Sequence, residues 1–260
     1  MDRLRLWSGT LLSRVKLCRV EKIRDRNGAT VSIRKRRYFH SASLLKAAAI
    51  VPQAFGTVRG LSLDEWHAWE SQLWKKLYAH DLVYEQGQLI FPVLTGEPLS
   101  DLLSCEETPM DRKLACVSAA AQSLRTLHQL SVMWPDGARR LFSHADAHAG
   151  NVLCSRDDMR AQWFDFETIH SAHLSADWRH ADDLRALAYS AASQMSEEAW
   201  PDLARSIAQS YATVAVLAQL CAFAEEIAAV SPGVLHFSQA PMEMAKQRRF
   251  SRELIELLRS

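Results

Sequence analysis

Apolar and polar residues interleave in short runs through the first third of the chain, and Val15 to Ile23 and Thr30 to Arg37 each read as a β-strand. Between them lies Arg26-Asn27-Gly28-Ala29, and Asn-Gly is a strong hairpin signal because both residues tolerate positive φ. The spacing then changes. Trp66, Trp69, Leu73, Trp74 and Leu77 recur three and four residues apart, which predicts a helix over Leu63 to His80 with Asp64 in its first turn. Gln88 to Leu94 is a further apolar strand, closed by Thr95-Gly96-Glu97-Pro98. Beyond it the pattern is mostly helical: Asp111 to Gln129, Asp182 to Gln194, Glu197 to Ala228 with breaks, and Pro241 to Ser260. Short strands at Leu141 to Phe142, Val152 to Cys154 and Ala161 to Phe166 frame one irregular polar loop. This order predicts an α+β chain of two lobes: a small strand-rich lobe over residues 1–94 and a larger, mainly helical lobe over 95–260. A cleft between two such lobes is a natural ligand site.

Composition narrows the picture without naming a function. Of 260 residues, 48% are apolar and 23% charged, which supports a packed core and excludes a disordered chain. The net charge of +1 gives no global field toward nucleic acid or acidic lipid. The five cysteines (Cys18, Cys105, Cys116, Cys154 and Cys221) show no CxxC spacing, so neither a disulfide framework nor a zinc ribbon is expected. Met1 to Arg14 alternates charge with apolar residues, unlike a signal peptide, and Tyr211 to Ala224 is too short to span a bilayer. A cytoplasmic protein is expected, with peripheral contact with the inner membrane surface left open.

The chemistry concentrates in Ser143-His144-Ala145-Asp146-Ala147-His148-Ala149-Gly150-Asn151 and in Trp163-Phe164-Asp165-Phe166-Glu167. Phosphoryl transfer from a nucleotide needs a positioned phosphate chain, one or two Mg²⁺ ions and a group that takes the proton of the attacking hydroxyl. Mg²⁺ prefers hard oxygen ligands and keeps several waters, so one carboxylate and one amide suffice. Asp165 and Asn151 offer those ligands, and Asp146 offers the base.

His144-x-Asp146 with Asn151, followed by Asp165-Phe166-Glu167, resembles the catalytic loop and metal segment of the protein-kinase-like superfamily. More narrowly it resembles the branch of aminoglycoside phosphotransferases, choline kinases and bacterial lipopolysaccharide core (heptose or Kdo) kinases. That branch carries His-Gly-Asp-Leu-His-Pro-Gly-Asn; here Ala145, Ala147 and Ala149 replace Gly, Leu and Pro, while His148, Gly150 and Asn151 match. The resemblance implies a two-lobed protein-kinase-like fold, ATP and Mg²⁺ as cofactors, and an alcohol acceptor. Asp146 would be catalytic, and Asn151 and Asp165 would hold the metal. Lys35 or Arg34 would bind the nucleotide phosphates, steadied by Glu70, with Glu65 as the competitor for that place. His144 and Asp183 would support the catalytic loop. His148 stands where protein kinases carry a lysine, which favours a small-molecule or glycolipid acceptor. A lipopolysaccharide core sugar is the acceptor expected, with an aminoglycoside-type kinase or a pseudokinase binding module as alternatives. No nucleic acid and no obligate protein partner are implied.

The chain departs from the family at the N-terminus, where no GxGxxG occurs and only Gly9 falls in the region. The strand lysine is ambiguous too. Val31-Ser32-Ile33-Arg34 aligns with Val-Ala-Ile-Lys but ends in arginine, so Lys35 serves only if a bulge or register shift turns it inward. A competing reading of His144, Asp146 and His148 is a metal cluster completed by His170, His173 or His180. Arg34 to Arg37, with Arg14 and Lys16, reads either as a solvated edge or as a contact for phosphates or anionic headgroups.

Overall fold

The structure is a computed structural model and describes residues 18–37, 57–155, 157, 159–229 and 242–260. Gly9, Arg14, Lys16, the start of the first expected strand at Val15 and Pro241 lie outside the described residues.

An antiparallel hairpin opens the described chain, β1 (Cys18–Arg24) with β2 (Thr30–Arg37). Its turn is not the two-residue type that Asn-Gly favours. Only Gly28 has positive φ, the Gly28 N–H donates to the Asp25 carbonyl, and the Asp25 carboxylate accepts from the N–H groups of Asn27 and Ala29. The aspartate side chain therefore organises a longer turn, and the register slips between Ile23 and Arg24. β5 (Gln88–Pro92) pairs with β2 on one side and with β4 (Val83–Glu85) on the other, giving a four-stranded sheet in the order β1-β2-β5-β4.

Helix α1 (Leu63–Tyr78) begins at Ser62 with a capping box. The Ser62 hydroxyl accepts from the Glu65 N–H, and the Glu65 carboxylate accepts from the Ser62 N–H. Its apolar stripe buries Trp66, Trp69, Leu73 and Trp74, and Trp74 meets Phe91 of the sheet at 5.1 Å between ring centroids. The tryptophans expected as core are core. The same helix is tied to the remainder of the chain. Its neighbour β3 (Val58–Gly60) pairs antiparallel with β11 (Thr168–His170), neither of which was visible in the sequence pattern. The Gln72 amide exchanges two 2.9 Å hydrogen bonds with the Met133 backbone in β7 (Ser131–Met133), and the Tyr78 hydroxyl donates to the Trp163 carbonyl in β10 (Ala161–Trp163).

The rest is helical around a few short strands. β6 (Glu97–Pro98) joins β9 (Val152–Cys154) and β10 in a small sheet, and β7 pairs with β8 (Arg139–Leu141). The helices are α2 (Leu99–Ser104), α3 (Met110–His128), α4 (Ala176–Ala192), α5 (Trp200–Tyr211), α6 (Val214–Ala229) and α7 (Met244–Arg259). α3 packs Val117, Ala120, Ala121 and Leu124 into a core shared with Leu203 and Ile207 of α5, while Tyr189 and Trp200 close on Phe250 of α7. No helix among the described residues is long and apolar enough to cross a membrane. The architecture is mixed α+β with small antiparallel sheets.

Removing the cap of α1 by Ser62→Ala leaves the Glu65 N–H unsatisfied. We expect a loss of about 1 kcal/mol, or roughly 2–4 °C in melting temperature for a chain of this size, read by thermal denaturation.

Candidate functional site

The phase of β2 decides which basic side chain enters the site. Lys35 lies opposite Leu89 and Ile33 opposite Phe91, and Leu89 and Phe91 are buried against α1. Lys35 is therefore on the buried face, 7% exposed, with no bulge: the β2–β5 ladder is regular from Ser32 to Arg36. The inward turn that was expected to need a register shift follows from ordinary alternation. Arg34 points to the other face, where it lines a shallow hollow with Arg19, Glu21, Arg36 and Gln88. It is thus on the wrong side of the sheet to share a ligand with Lys35. Arg19 pairs with Glu21 at 2.7 Å on this outer face, so the basic strand is partly neutralised there.

The Lys35 ammonium contacts the carboxylates of Asp165 and Glu167 and lies 4.0 Å from Glu70 Oε1. It also sits 5.8 Å from the centroid of the Trp66 ring, whose N–H donates to Glu70. Burial pushes the Glu70 carboxyl up to about 7, because the attraction of Lys35 is offset by repulsion from Asp165 and Glu167. Glu65, the competitor, is occupied elsewhere: it forks onto Arg59 at 3.1 and 3.2 Å and completes the helix cap.

The loop from Phe142 to Asn151 is held from beneath by Asp183 of α4. Its two carboxylate oxygens accept from the N–H groups of His144 and Ala145, both at 2.7 Å, and Oδ2 also accepts from His128 Nε2 at 2.9 Å. Burial works against charge on Asp183, but His170, His128 and these hydrogen bonds hold its carboxyl below the usual range. His128 keeps its other nitrogen for the Tyr211 hydroxyl, 2.6 Å away. Ala145 sits at φ 63°, the left-handed region that an alanine occupies only under constraint, and the two bonds to Asp183 flank it.

From this base the loop places its functional groups. The Asp146 carbonyl accepts from the His148 N–H at 2.9 Å and from the Asn151 side-chain amide at 3.0 Å. The amide nitrogen of Asn151 is thereby turned toward Asp146, whose carboxyl it also steadies, leaving its oxygen as a ligand. The Asn151 carbonyl accepts from the Phe164 N–H, and the Phe164 carbonyl accepts from His144 Nε2, both at 3.0 Å. These bonds on either side of Phe164 fix the following residue, Asp165, which has φ 71°. His144 is wedged between Trp163 and Phe166, and burial lowers its ring to about 4, so it braces as a neutral group.

Asp146 Oδ1 is shut from solvent without a hydrogen-bond partner. Burial raises the Asp146 carboxyl well above the ordinary carboxylate range, and the nearby charges of Asp165 and Glu167 raise it further against a smaller opposing hydrogen bond from the Asn151 side chain. Asp165 is held low: burial opposes its charge, but the Lys35 ammonium prevails. Asp165, Glu167 and Glu70 thus gather around Lys35, and Asp146 lies close enough to feel the charges of the first two. The donor set of hard oxygens suits Mg²⁺ bound together with a phosphate chain. Among the described residues no three His, Cys, Asp or Glu side chains form a self-sufficient metal site. Of the histidines that such a site would need, His170 is engaged with Ser143 and Asp182 and His180 with the Phe142 carbonyl, while His173 is exposed.

Sequence reasoning missed Glu167 as a member of the site, although it was quoted with Asp165. It lies two residues beyond Asp165 and its carboxylate contacts the same ammonium, and its place beside Asp165 in the chain was the available signal. The Ser62-x-x-Glu65 capping box was likewise readable and would have removed Glu65 from contention.

No family model matches the chain, and no curated protein matches it in sequence. Among solved structures, an ethanolamine kinase from Plasmodium vivax is similar in shape, with 9% sequence identity, a TM-score of 0.42 and coverage of 99% of this chain and 86% of that one.

Two outcomes test the site's energetics. Ala145→Gly should stabilise the protein by about 1 kcal/mol in denaturant unfolding, because glycine carries no penalty at positive φ. Glu70 releases its proton near its ordinary 4.5 when unfolded and near 7 when folded, so its contribution is full below 4.5 and is lost as pH rises through about 7. Glu70→Gln removes that loss, and its stability relative to wild type should improve between pH 5 and pH 8.

Proposed function

We propose that the chain is an ATP- and Mg²⁺-dependent phosphotransferase with a hydroxyl acceptor, residues 1–94 forming the nucleotide lobe and 95–260 the catalytic lobe. The observation that carries this reading is the meeting of Lys35, Glu70 and Asp165 beside a loop that presents Asp146 and Asn151 from an Asp183 brace. A single lysine surrounded by carboxylates is poorly suited to bind a free anion. It suits one that arrives with its own divalent cation.

In this reading Asn151 and Asp165 hold Mg²⁺, which when bound neutralises developing charge on the phosphoryl oxygens. Lys35 binds the α/β-phosphates, with Glu70 keeping its ammonium at the inner face. Asp146 orients the acceptor hydroxyl and takes its proton, and burial with the charges of Asp165 and Glu167 raises its affinity for that proton. The hydroxyl oxygen forms a bond to the γ-phosphorus as the bond to the β–γ bridging oxygen breaks, and that electron pair leaves with ADP. The acceptor we favour is a hydroxyl of a sugar or glycolipid of the lipopolysaccharide core, on the loop resemblance; aminoglycoside-type alcohols are the next class to screen.

Calorimetric titration of ATP with and without Mg²⁺ tests this directly. Wild type and Arg34→Ala should bind only with the metal and with equal affinity, whereas Lys35→Ala and Asp165→Ala should each weaken binding about 10- to 100-fold. Absence of Mg²⁺-dependent binding by folded wild type would overturn the proposal.

A further inference from the structure

His148 lies in the middle of the loop, and the mechanism above leaves it without a task. Its ring is fixed in orientation. Nδ1 accepts from the Gly150 N–H at 3.0 Å, so the neutral ring carries its hydrogen on Nε2. A Cβ on residue 150 would meet the ring at 2.8 Å from Cε1 and 3.0 Å from Nδ1, so glycine at that position is what lets the imidazole lie over the loop. Nε2 then faces Asp146 Oδ1 at 3.7 Å, the same oxygen that is sequestered without a hydrogen-bond partner. Catalytic hydrogen bonds are commonly long before substrate is bound and tighten afterwards.

We propose that His148 is a positioning residue: its Nε2–H holds Asp146 Oδ1 and so presents the other carboxylate oxygen to the acceptor hydroxyl. The inference rests on the phosphotransferase reading. The ring gives up no proton; the hydroxyl proton goes to Asp146 and the electron pair of the broken bond leaves with ADP. Holding one oxygen also stops the carboxylate from rotating toward the cation bound by Asp165 and Asn151.

A purely structural role is separable, because the cap and the reach to Asp146 use different nitrogens. Asparagine caps the turn from its short side chain but falls short of Asp146, whereas glutamine reaches with its amide N–H. The experiment is calorimetric binding of MgADP alone and of MgADP with fluoroaluminate, which mimics the transferred phosphoryl group, alongside melting temperatures. His148→Asn should keep its fold and its MgADP affinity but lose about 10- to 100-fold in fluoroaluminate-dependent affinity, and His148→Gln should lose markedly less. Equal fluoroaluminate binding by His148→Asn and wild type would overturn the inference while leaving the phosphotransferase reading intact. Failure of wild type to bind MgADP would remove both. Nitrogen-15 NMR of the wild-type imidazole needs no variant: an Nε2–H tautomer is expected, and an Nδ1–H tautomer would refute the proposal even if a variant failed to fold.

Discussion

One buried carboxylate sets the geometry on which everything else depends. Asp183 accepts from two consecutive backbone N–H groups and from His128, far from water. Charge-assisted bonds of this kind are roughly twice as strong as neutral ones, and a donor left unpaired in such a place costs about 1–3 kcal/mol. That is enough to hold Ala145 in a left-handed conformation against its preference. The bend at Ala145 turns the chain so that Asp146 stays partly open to solvent while His144 is buried in the core. Without the brace, the loop would relax and the remaining groups would lose their common focus.

The brace acts at a distance through a short relay. His144 carries the position of the loop to the Phe164 carbonyl, and Asn151 carries it to the Phe164 N–H. Asp165 is therefore placed by bonds to its neighbour and not by any bond of its own to the loop. Aromatic packing fills the space between: Trp69 stacks on Phe142 at 6.0 Å, and Phe142 and His144 both meet Phe166. The helix that carries Glu70 is thereby in contact with the segment that carries Asp165. Polar groups set direction here, and aromatic rings set spacing.

Much of this was legible in the chain. The loop is contiguous, so His144, Asp146 and Asn151 are spelled at fixed spacing, and helix α1 announces itself by its tryptophans. Asp183 was readable through the likeness of its helix. What the sequence hid has physical causes. A strand shows its alternation but not which phase faces inward, and that choice for Lys35 and Arg34 was made by Leu89 and Phe91 on another strand. β3 and β11 are three residues each and pair across more than a hundred positions, which leaves no local signature. The Asn-Gly hairpin was legible but the shape of its turn was not, because Asp25, outside the dipeptide, supplies the bonds that shape it.

The attachments of α1 bear on how such a molecule can move. The helix is fastened to the helical half by a strand ladder at β3, by the Gln72 amide at β7 and by the Tyr78 phenol at β10, while the sheet meets it through side-chain packing such as Trp74 on Phe91 and through the Lys35–Glu70 ion pair. Directional bonds resist sliding and packed rings tolerate it. The mechanical seam therefore runs inside the strand-rich third, between sheet and helix, and not along the boundary between strands and helices in the sequence. Sliding along that seam would carry Lys35 with the sheet, and the ion pairs of Lys35 with Glu70, Asp165 and Glu167 are what it would have to break.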